Sequence, residues 1–377
     1  MIIGIITGLL FVFSTYSCRK DETIPEPDPI VVDTTQSEIT AVKGFYLLNE
    51  GNMGSNKASL DYYDYATKTY TKNIYGSVNP AIVRLGDVGN DLQIYGNRLY
   101  AVINCSNLVE VMDVATTKSI TNFKLDNCRY ITFHDGKAYV SSYVAPVEFN
   151  PEAQPGIVAE FDTVTYRMLR SVTVGYQPEE MAIVGNKLYV ANSGGYRFPD
   201  YDNTISVIDL NTFTVSHSIE VAYNLHHLKV DSEGDLYVSS RGDYYDIASN
   251  LLVIDTKTDK IKKSFGIPAS NMCVNGDSLY VYSVEWNYNS GKNTVTYAII
   301  DTKTEEIVSR NFITDGTDEE IKIPYGLAID PISKDIYVTD AKNYVTPGTL
   351  YCFDREGKKK WSVTTGDIPA HIAFVTE

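Results

Sequence analysis

The groups able to do chemistry or binding in this 377-residue chain fall in two sets, a series of aromatic-rich loops and a ring of polar residues beneath them. The long loops read NEGNMGSNKAS (49–59), SYVAPVEFNPEAQPG (142–156), NSGGYRFPDYDN (192–203), SRGDYYDIASN (240–250), VEWNYNSGKNT (284–294) and DAKNYVTPGT (340–349). They present Phe149, Tyr196, Phe198, Tyr201, Tyr244, Tyr245, Trp286, Tyr288 and Tyr344, interleaved with Asn, Asp, Gly and Arg, Arg241 among them. Exposed loops do not require aromatic residues, so nine on one rim point to a binding surface. The alternative role for some of them is to anchor the loops by packing inward.

The polar set comes from short apolar runs that precede each Tyr-bearing strand. Aligned, they place Asp91, Tyr130, Glu180, His227, Asn271, Gly326 and His371 in one column. The neighbouring column holds Asn90, Arg129, Glu179, His226, Ser270, Tyr325 and Ala370. Three of the five His residues thus point at one opening. A hydrated channel mouth accounts for such a ring. The alternative is that Arg129, His227, Tyr325 and His371 grip the polar rim of a ligand, with His227 or His371 as donor or metal contact. An acid–base pair needs carboxylates whose pKa values are driven apart by burial, and a solvated rim offers little of that.

Familiar catalytic patterns are missing. There is no Gly-rich phosphate loop, no Gly-x-Ser-x-Gly elbow and no Cys/His zinc spacing. The Asp-Gly-Thr-Asp-Glu-Glu run at 315–320 carries carboxylates without EF-hand spacing. The chain reads as a binder, with no catalytic residue, no metal and no cofactor.

The elements that must position these groups repeat. In residues 185–216, GNKLYVANSGGYRFPDYDNTISVIDLNTFTVS, a turn opens one strand, a loop leads to a second, and an Asp-x-x-Thr turn leads to a third. The apolar run QPEEMAIV (177–184) supplies a fourth. The Tyr recurs at 46, 100, 139, 189, 237, 280 and 337, and the turn Asp at 64, 113, 162, 209, 255, 301 and 354, in strict alternation. Asp and Thr side chains bond nearby backbone amides, so that pairing is turn chemistry. Seven units of about 40–50 residues with four strands each define an all-β, seven-bladed β-propeller with antiparallel blades. The first Tyr strand, GFYLLN (44–49), lacks a preceding inner strand, and IPAHIAFV (368–375) lacks a blade of its own. The C-terminal strand is therefore expected to join the first blade and close the ring, removing two open edges. Loop alternation then puts the long loops and the polar columns on one face and the short Gly-Asn and Asp-x-x-Thr turns on the other.

Composition is consistent with this: 44% hydrophobic and 21% charged residues, 29 Tyr, and no sustained helical periodicity. The net charge of −16 repels phosphate backbones and anionic lipid, so nucleic acid is excluded as a partner. Of the five Cys, Cys273 and Cys352 read as small core residues, while Cys105 and Cys128, at the ends of neighbouring strands, could pair in an oxidising compartment.

The N-terminal run MIIGIITGLLFVFSTYS (1–17) is too short for a stable membrane span and reads as a signal peptide. Small residues precede Cys18, and in the following Arg19-Lys20-Asp21-Glu22 a Lys is followed by two acids. This resembles the lipidation and surface-export signal of Bacteroidetes lipoproteins, with two departures: no Lys or Arg in the first residues, and Thr15 where Leu is usual. The resemblance implies lipidation at Cys18 and an outer-membrane anchor with the body facing the exterior. Residues 18–41 form an acidic, Pro-rich tether, able to extend about 70 Å, and residues 42–377 form the propeller.

The blade motif itself resembles the YncE-like family of seven-bladed propellers over nearly all of residues 42–377. With the lipoprotein signal, the chain is similar to Bacteroidetes surface propellers, among them the BtuG group. That resemblance implies non-enzymatic capture of a corrinoid (cobalamin, as bound ligand) and transfer to a TonB-dependent outer-membrane transporter. No motif carries the ligand residues of that group onto this chain. A broad apolar ring fringed by amides suits a wide rim of Tyr, Phe and Trp with polar residues between them. Two binding alternatives stand beside it, a surface glycan-binding protein of a polysaccharide-uptake system and a protein-docking propeller. A hydrolase or lyase at the channel mouth would need a metal or a buried acid pair among Asp91, Glu179, Glu180, His226, His227 and His371.

Overall fold

The computed structural model describes residues 39–377 apart from 83 and 288–290. The signal run, Cys18 and most of the tether lie outside the described residues, as does Tyr288. Seven four-stranded antiparallel sheets form the blades. The fourth shows the common plan, with strands Pro178–Val184, Lys187–Asn192, Thr204–Asp209 and Thr214–Glu220 running outward from the centre. In the first blade the innermost strand is Pro369–Thr376, paired to Val42–Asn49 with Phe45 opposite Phe374 and Leu47 opposite Ile372. The ring closes as the unpaired ends of the repeat require.

The repeat residues explain why the blades stack. Tyr46, Tyr100, Tyr139, Tyr189, Tyr237 and Tyr337 are all buried between neighbouring sheets, and Tyr280 is half-buried. Several of their hydroxyls bond to the turn of the next blade. Tyr46 Oη donates to Val114 O at 2.8 Å and pairs with Thr117 Oγ1 at 2.9 Å. Tyr189 Oη donates to Asp259 Oδ1 at 2.7 Å. Tyr337 Oη meets Tyr65 Oη at 2.8 Å, which carries the pattern across the closure. Aliphatic side chains fill the rest of each gap, as where Tyr46, Leu48 and Leu60 pack against Leu99 and Ile103.

The Asp-x-x-Thr turns have the expected form. Asp113 Oδ1 accepts from Thr116 N at 2.9 Å and Thr116 Oγ1 at 2.7 Å, and Asp162 and Asp301 do the same with Thr165 and Thr304. Each of six turns then places a non-Gly residue in the left-handed region, namely Lys68, Thr117, Tyr166, Phe213, Asp259 and Glu305; the seventh uses Gly357. One short helix, Ile74–Val78, links the first and second blades and buries Tyr75, whose hydroxyl donates to Glu110 at 3.0 Å.

The open possibility of a Cys105–Cys128 disulfide is corrected: both are free thiols. Cys128 is sunk in the core with its sulfur 3.4 Å from Leu108 O, and Cys105 turns to Asn104. Burial pushes the Cys128 thiol up to about 12. Cys352 is buried as expected, and Cys273 is half-buried. The 315–320 run is a structural turn, with Asp315 accepting from Thr317 N and Lys359 N.

The tyrosine contacts give a paired test. Tyr189→Phe removes a bond to a carboxylate and should lower unfolding stability by about 1.5–3 kcal/mol. Tyr100 Oη is buried with no hydrogen-bond partner among the described residues, so Tyr100→Phe should be neutral or stabilising, within about 0.5 kcal/mol. Urea unfolding of the two variants checks both, and an equal loss would contradict this account.

Candidate functional site

The site begins with an irregularity in the innermost strands. Six of the seven carry one extra residue near the start. Cys128 pairs with Ser142 and Ile131 with Val140, so Arg129 and Tyr130 together face Ser141. The same shift gathers Glu179 with Glu180, His226 with His227 and Tyr325 with Gly326, and it inserts Asn90 and Ala370 in their strands. In a regular strand, neighbouring side chains point to opposite faces; a bulge breaks that alternation and re-aims side chains. Residues of both aligned columns therefore reach the channel mouth.

The bulge backbone is held by side chains of the strand alongside and of the preceding blade. Tyr130 N donates to Ser141 Oγ at 3.1 Å, His227 N to Ser239 Oγ at 2.9 Å, and Gly326 N to Thr339 Oγ1 at 2.6 Å. Ser141 Oγ also donates to Glu179 O at 2.9 Å in the next blade, and Thr339 Oγ1 to Pro369 O at 2.5 Å. Asn90 Nδ2 donates to Arg129 O at 2.7 Å, and the Tyr282 hydroxyl donates to Tyr325 O. Gly326 is needed where it stands, because a Cβ there would lie 2.2 Å from Ala370 O.

Above these strands lies a cavity of about 800 Å³ on the long-loop face, centred on the fifth, sixth and seventh blades. Of the expected residues, Arg129, His227, Arg241, Tyr244, Tyr245, Trp286, Tyr325, Tyr344 and His371 line it. Phe149, Tyr196, Phe198 and Tyr201 do not. They sit on the neighbouring loops and pack on one another and on the cavity wall: Phe149 with Tyr196 at 5.9 Å, Phe198 with Tyr245 at 5.8 Å and Tyr201 with Tyr244 at 6.3 Å between ring centroids. Phe149 and Tyr245 remain about three-quarters exposed. The lining also includes Glu50, Tyr282 and Glu285, which the sequence reading did not single out.

Charges are organised in buried clusters. Glu179 Oε2 accepts from Arg129 Nε at 3.1 Å and Nη2 at 2.9 Å, while its Oε1 accepts from Tyr143 Oη at 2.5 Å and Arg241 Nη1 at 3.5 Å. Burial alone would raise the Glu179 pKa, but the two guanidiniums hold it below its ordinary value. Glu180 accepts from His227 Nδ1 at 2.9 Å, from Leu228 N at 3.0 Å and from the Lys229 ammonium. It too is held low against its burial, chiefly by Lys229. His226 Nε2 meets Tyr130 Oη at 2.9 Å, and the His226 and His227 rings lie 3.7 Å apart. Burial, with Arg241 and the second imidazole adding to it, drives His226 well below its ordinary 6.5 and keeps it neutral. Burial also lowers His227, against the pull of Glu180. On the far wall Glu50 accepts from Tyr325 Oη at 2.9 Å and lies 3.4 Å from His371 Nε2, which makes no aligned hydrogen bond among the described residues. Among the described residues no group of three His, Cys, Asp or Glu side chains is placed to hold a metal ion.

Fold and cavity together define a seven-bladed β-propeller with a deep, loop-walled recess at one end of its channel. The chain belongs to the family described as a domain of unknown function, DUF5074, whose model matches residues 43–374. No curated protein matches it in sequence. Among solved structures it is similar to a hypothetical selenium-binding protein of Sulfolobus tokodaii, with a TM-score of 0.66 and 12% identity over 90% of this chain and 94% of that one. It is also similar to the periplasmic gluconolactonase of Pseudomonas aeruginosa, with 0.61 and 14% over 88% and 99%. Hydrazine synthase of Kuenenia stuttgartiensis gives 0.61 and 18% over 76% and 89%. At these identities the likenesses show the fold alone.

Two outcomes follow from this geometry. Ser141→Ala strips partners from both Tyr130 N–H and the Glu179 carbonyl and should cost about 2–4 kcal/mol in denaturant unfolding. The pH dependence has a definite sign. His226 and His227 take up protons more readily when unfolded, so their contribution is complete above 6.5 and is lost as pH falls below it. Glu179 and Glu180 are likewise protonated first in the unfolded chain, so their contribution is lost as pH falls below 4.5. The melting temperature should decline on acidification in two stages, and replacing both imidazoles by Gln should remove the upper stage only.

Proposed function

We propose that the protein is a non-enzymatic, lipid-anchored capture protein of the YncE-like, BtuG type. In this reading it holds a large ring-bearing small molecule, most concretely a corrinoid, in the channel-mouth recess and passes it to a TonB-dependent outer-membrane transporter. The observation that carries the reading is the recess itself. Its volume of about 800 Å³ lies toward the upper end of the roughly 300–1,000 Å³ typical of small-molecule sites. Its rim carries the half-exposed rings of Tyr244, Trp286 and Tyr344, and its floor carries amides, imidazoles and guanidiniums. Aromatic rims with polar floors suit a flat apolar ring with a polar fringe. Walls contributed by many loops on a rigid ring keep the ordering cost of binding low.

Binding rather than turnover is supported by how two of the acids behind the recess are engaged. Glu179 and Glu180 are already saturated by cations and hydroxyl or amide donors. Neither is free to take a proton from a substrate at neutral pH.

Calorimetric titration of residues 37–377 with cyanocobalamin tests the proposal. One-to-one binding that weakens about tenfold or more on Trp286→Ala or Tyr244→Ala is expected. Absence of heat and of any melting shift at high micromolar ligand would remove the corrinoid reading, and a glycan panel would then decide the surface glycan-binding alternative.

A further inference from the structure

The recess is electrically one-sided. Arg129 and Arg241 line it, whereas Glu179, the carboxylate between them, stands behind. Two guanidiniums share one carboxylate, which leaves this wall with a surplus positive charge. Lys229 is matched by Glu180, and the adjoining His226, half-buried, and His227, buried, are both held neutral. Arg129 uses Nε and Nη2 on Glu179, and Arg241 uses only Nη1, at 3.5 Å. Nη1 of Arg129, and Nε and Nη2 of Arg241, have no acceptor among the described residues. The Tyr143 ring, with its centroid 4.8 Å from the Arg129 guanidinium carbon, fixes the orientation of that side chain. The opposite wall carries the carboxylates of Glu50 and Glu285. In a chain of net charge −16 the general field repels anions, so a surplus of forked cationic donors inside a recess is a local, directed feature.

We propose that Arg129 and Arg241 form an oxyanion subsite that takes a phosphodiester or carboxylate of the captured ligand, while its ring system lies against Tyr244, Trp286 and Tyr344. Guanidinium forks match the planar spacing of such oxygens and bind them through paired charge-assisted bonds. Partial burial strengthens that attraction relative to open water. The ring contacts rest on the capture reading above; the oxyanion contact rests only on the arginine wall.

The test is Arg241→Gln, which leaves Glu179 bonded to Arg129 and Tyr143 and therefore keeps the cluster compensated. Lys263→Gln, on the outer strand Lys260–Ser264, controls for the loss of one positive charge. Cyanocobalamin, which carries a phosphodiester, and cobinamide, which does not, are titrated into each variant. Arg241→Gln should weaken cyanocobalamin by about tenfold or more and change cobinamide by less than about twofold, with Lys263→Gln changing neither. Equal loss for both corrinoids, or no loss for cyanocobalamin, overturns the subsite. Binding of neither corrinoid to the unaltered protein removes the corrinoid reading but not this one. In that case inorganic phosphate and trigalacturonate are compared by melting shift. A shift that Arg241→Gln abolishes supports the subsite and identifies its source as a phosphoester or an acidic glycan, and the absence of any Arg241-dependent shift with either overturns it.

Discussion

The bulge at the head of the inner strands, and the hydrogen bonds that hold it, is the constraint on which the rest of the site depends. A bulge leaves an N–H and a carbonyl outside the sheet ladder, and near a channel wall both need partners. Here a hydroxyl on the adjacent strand takes the N–H in three blades, at Ser141, Ser239 and Thr339. A side chain of the preceding blade reaches the carbonyl of Arg129, Glu179, Tyr325 or Pro369. Those four bulges are thereby referred to the position of the preceding blade. Consecutive residues such as Arg129 and Tyr130, or His226 and His227, can then serve one cavity, where strict alternation would send one of each pair away from it.

This arrangement works only on a frame that does not shift. Tyr46, Tyr189 and Tyr337 tie each blade to a turn of the next at the opposite end of the ring, and the strand Pro369–Thr376 joins the last part of the chain to the first. The turn face and the cavity face thus have separate tasks. The turn face repeats the same residue types because it performs much the same packing and turn bonding in most blades. The cavity face varies blade by blade, with Asn90, Arg129, His226 and Tyr325 at equivalent bulge positions. Variation there leaves the frame intact, because the bulge is held through backbone groups and through residues of the second strand.

That division of labour sets what could be read from the residues alone. Tyr and Asp recur because their side chains make the blade contacts, so blade number, strand order and closure were all legible. The polar columns were legible too, since a bulge present in six blades keeps the alignment in phase. The left-handed turn residues were not, because Lys68, Thr117, Tyr166 and Phe213 carry no glycine to mark them. Glu50 and Tyr282 escaped for a different reason. Glu50 adjoins a buried strand, and Tyr282 reads as an ordinary strand residue; only the packing of neighbouring blades turns them to the cavity. Conversely, Phe149, Tyr196, Phe198 and Tyr201 share the composition of the rim but not its cavity. Aromatic loops that face one another pack first on each other: Phe149 on Tyr196, and Phe198 and Tyr201 as supports for Tyr245 and Tyr244.

The charge pattern of the recess follows from the same geometry. Adjacent acids at Glu179 and Glu180 on one bulge would repel each other strongly if left bare in a poorly solvated wall. Arg129 and Arg241 compensate the first and Lys229 the second, each drawn from a neighbouring strand or loop. The compensation exceeds the charge it answers, because two arginines meet a single carboxylate. Acids that are already ionised and bonded hold their surroundings in place instead of exchanging protons. The surplus lies on groups that deprotonate only far above neutral pH and present donors in fixed directions. A wall with permanently protonated donors and committed carboxylates is built to orient and hold a ligand, and that physical distinction is what favours the proposed capture over turnover.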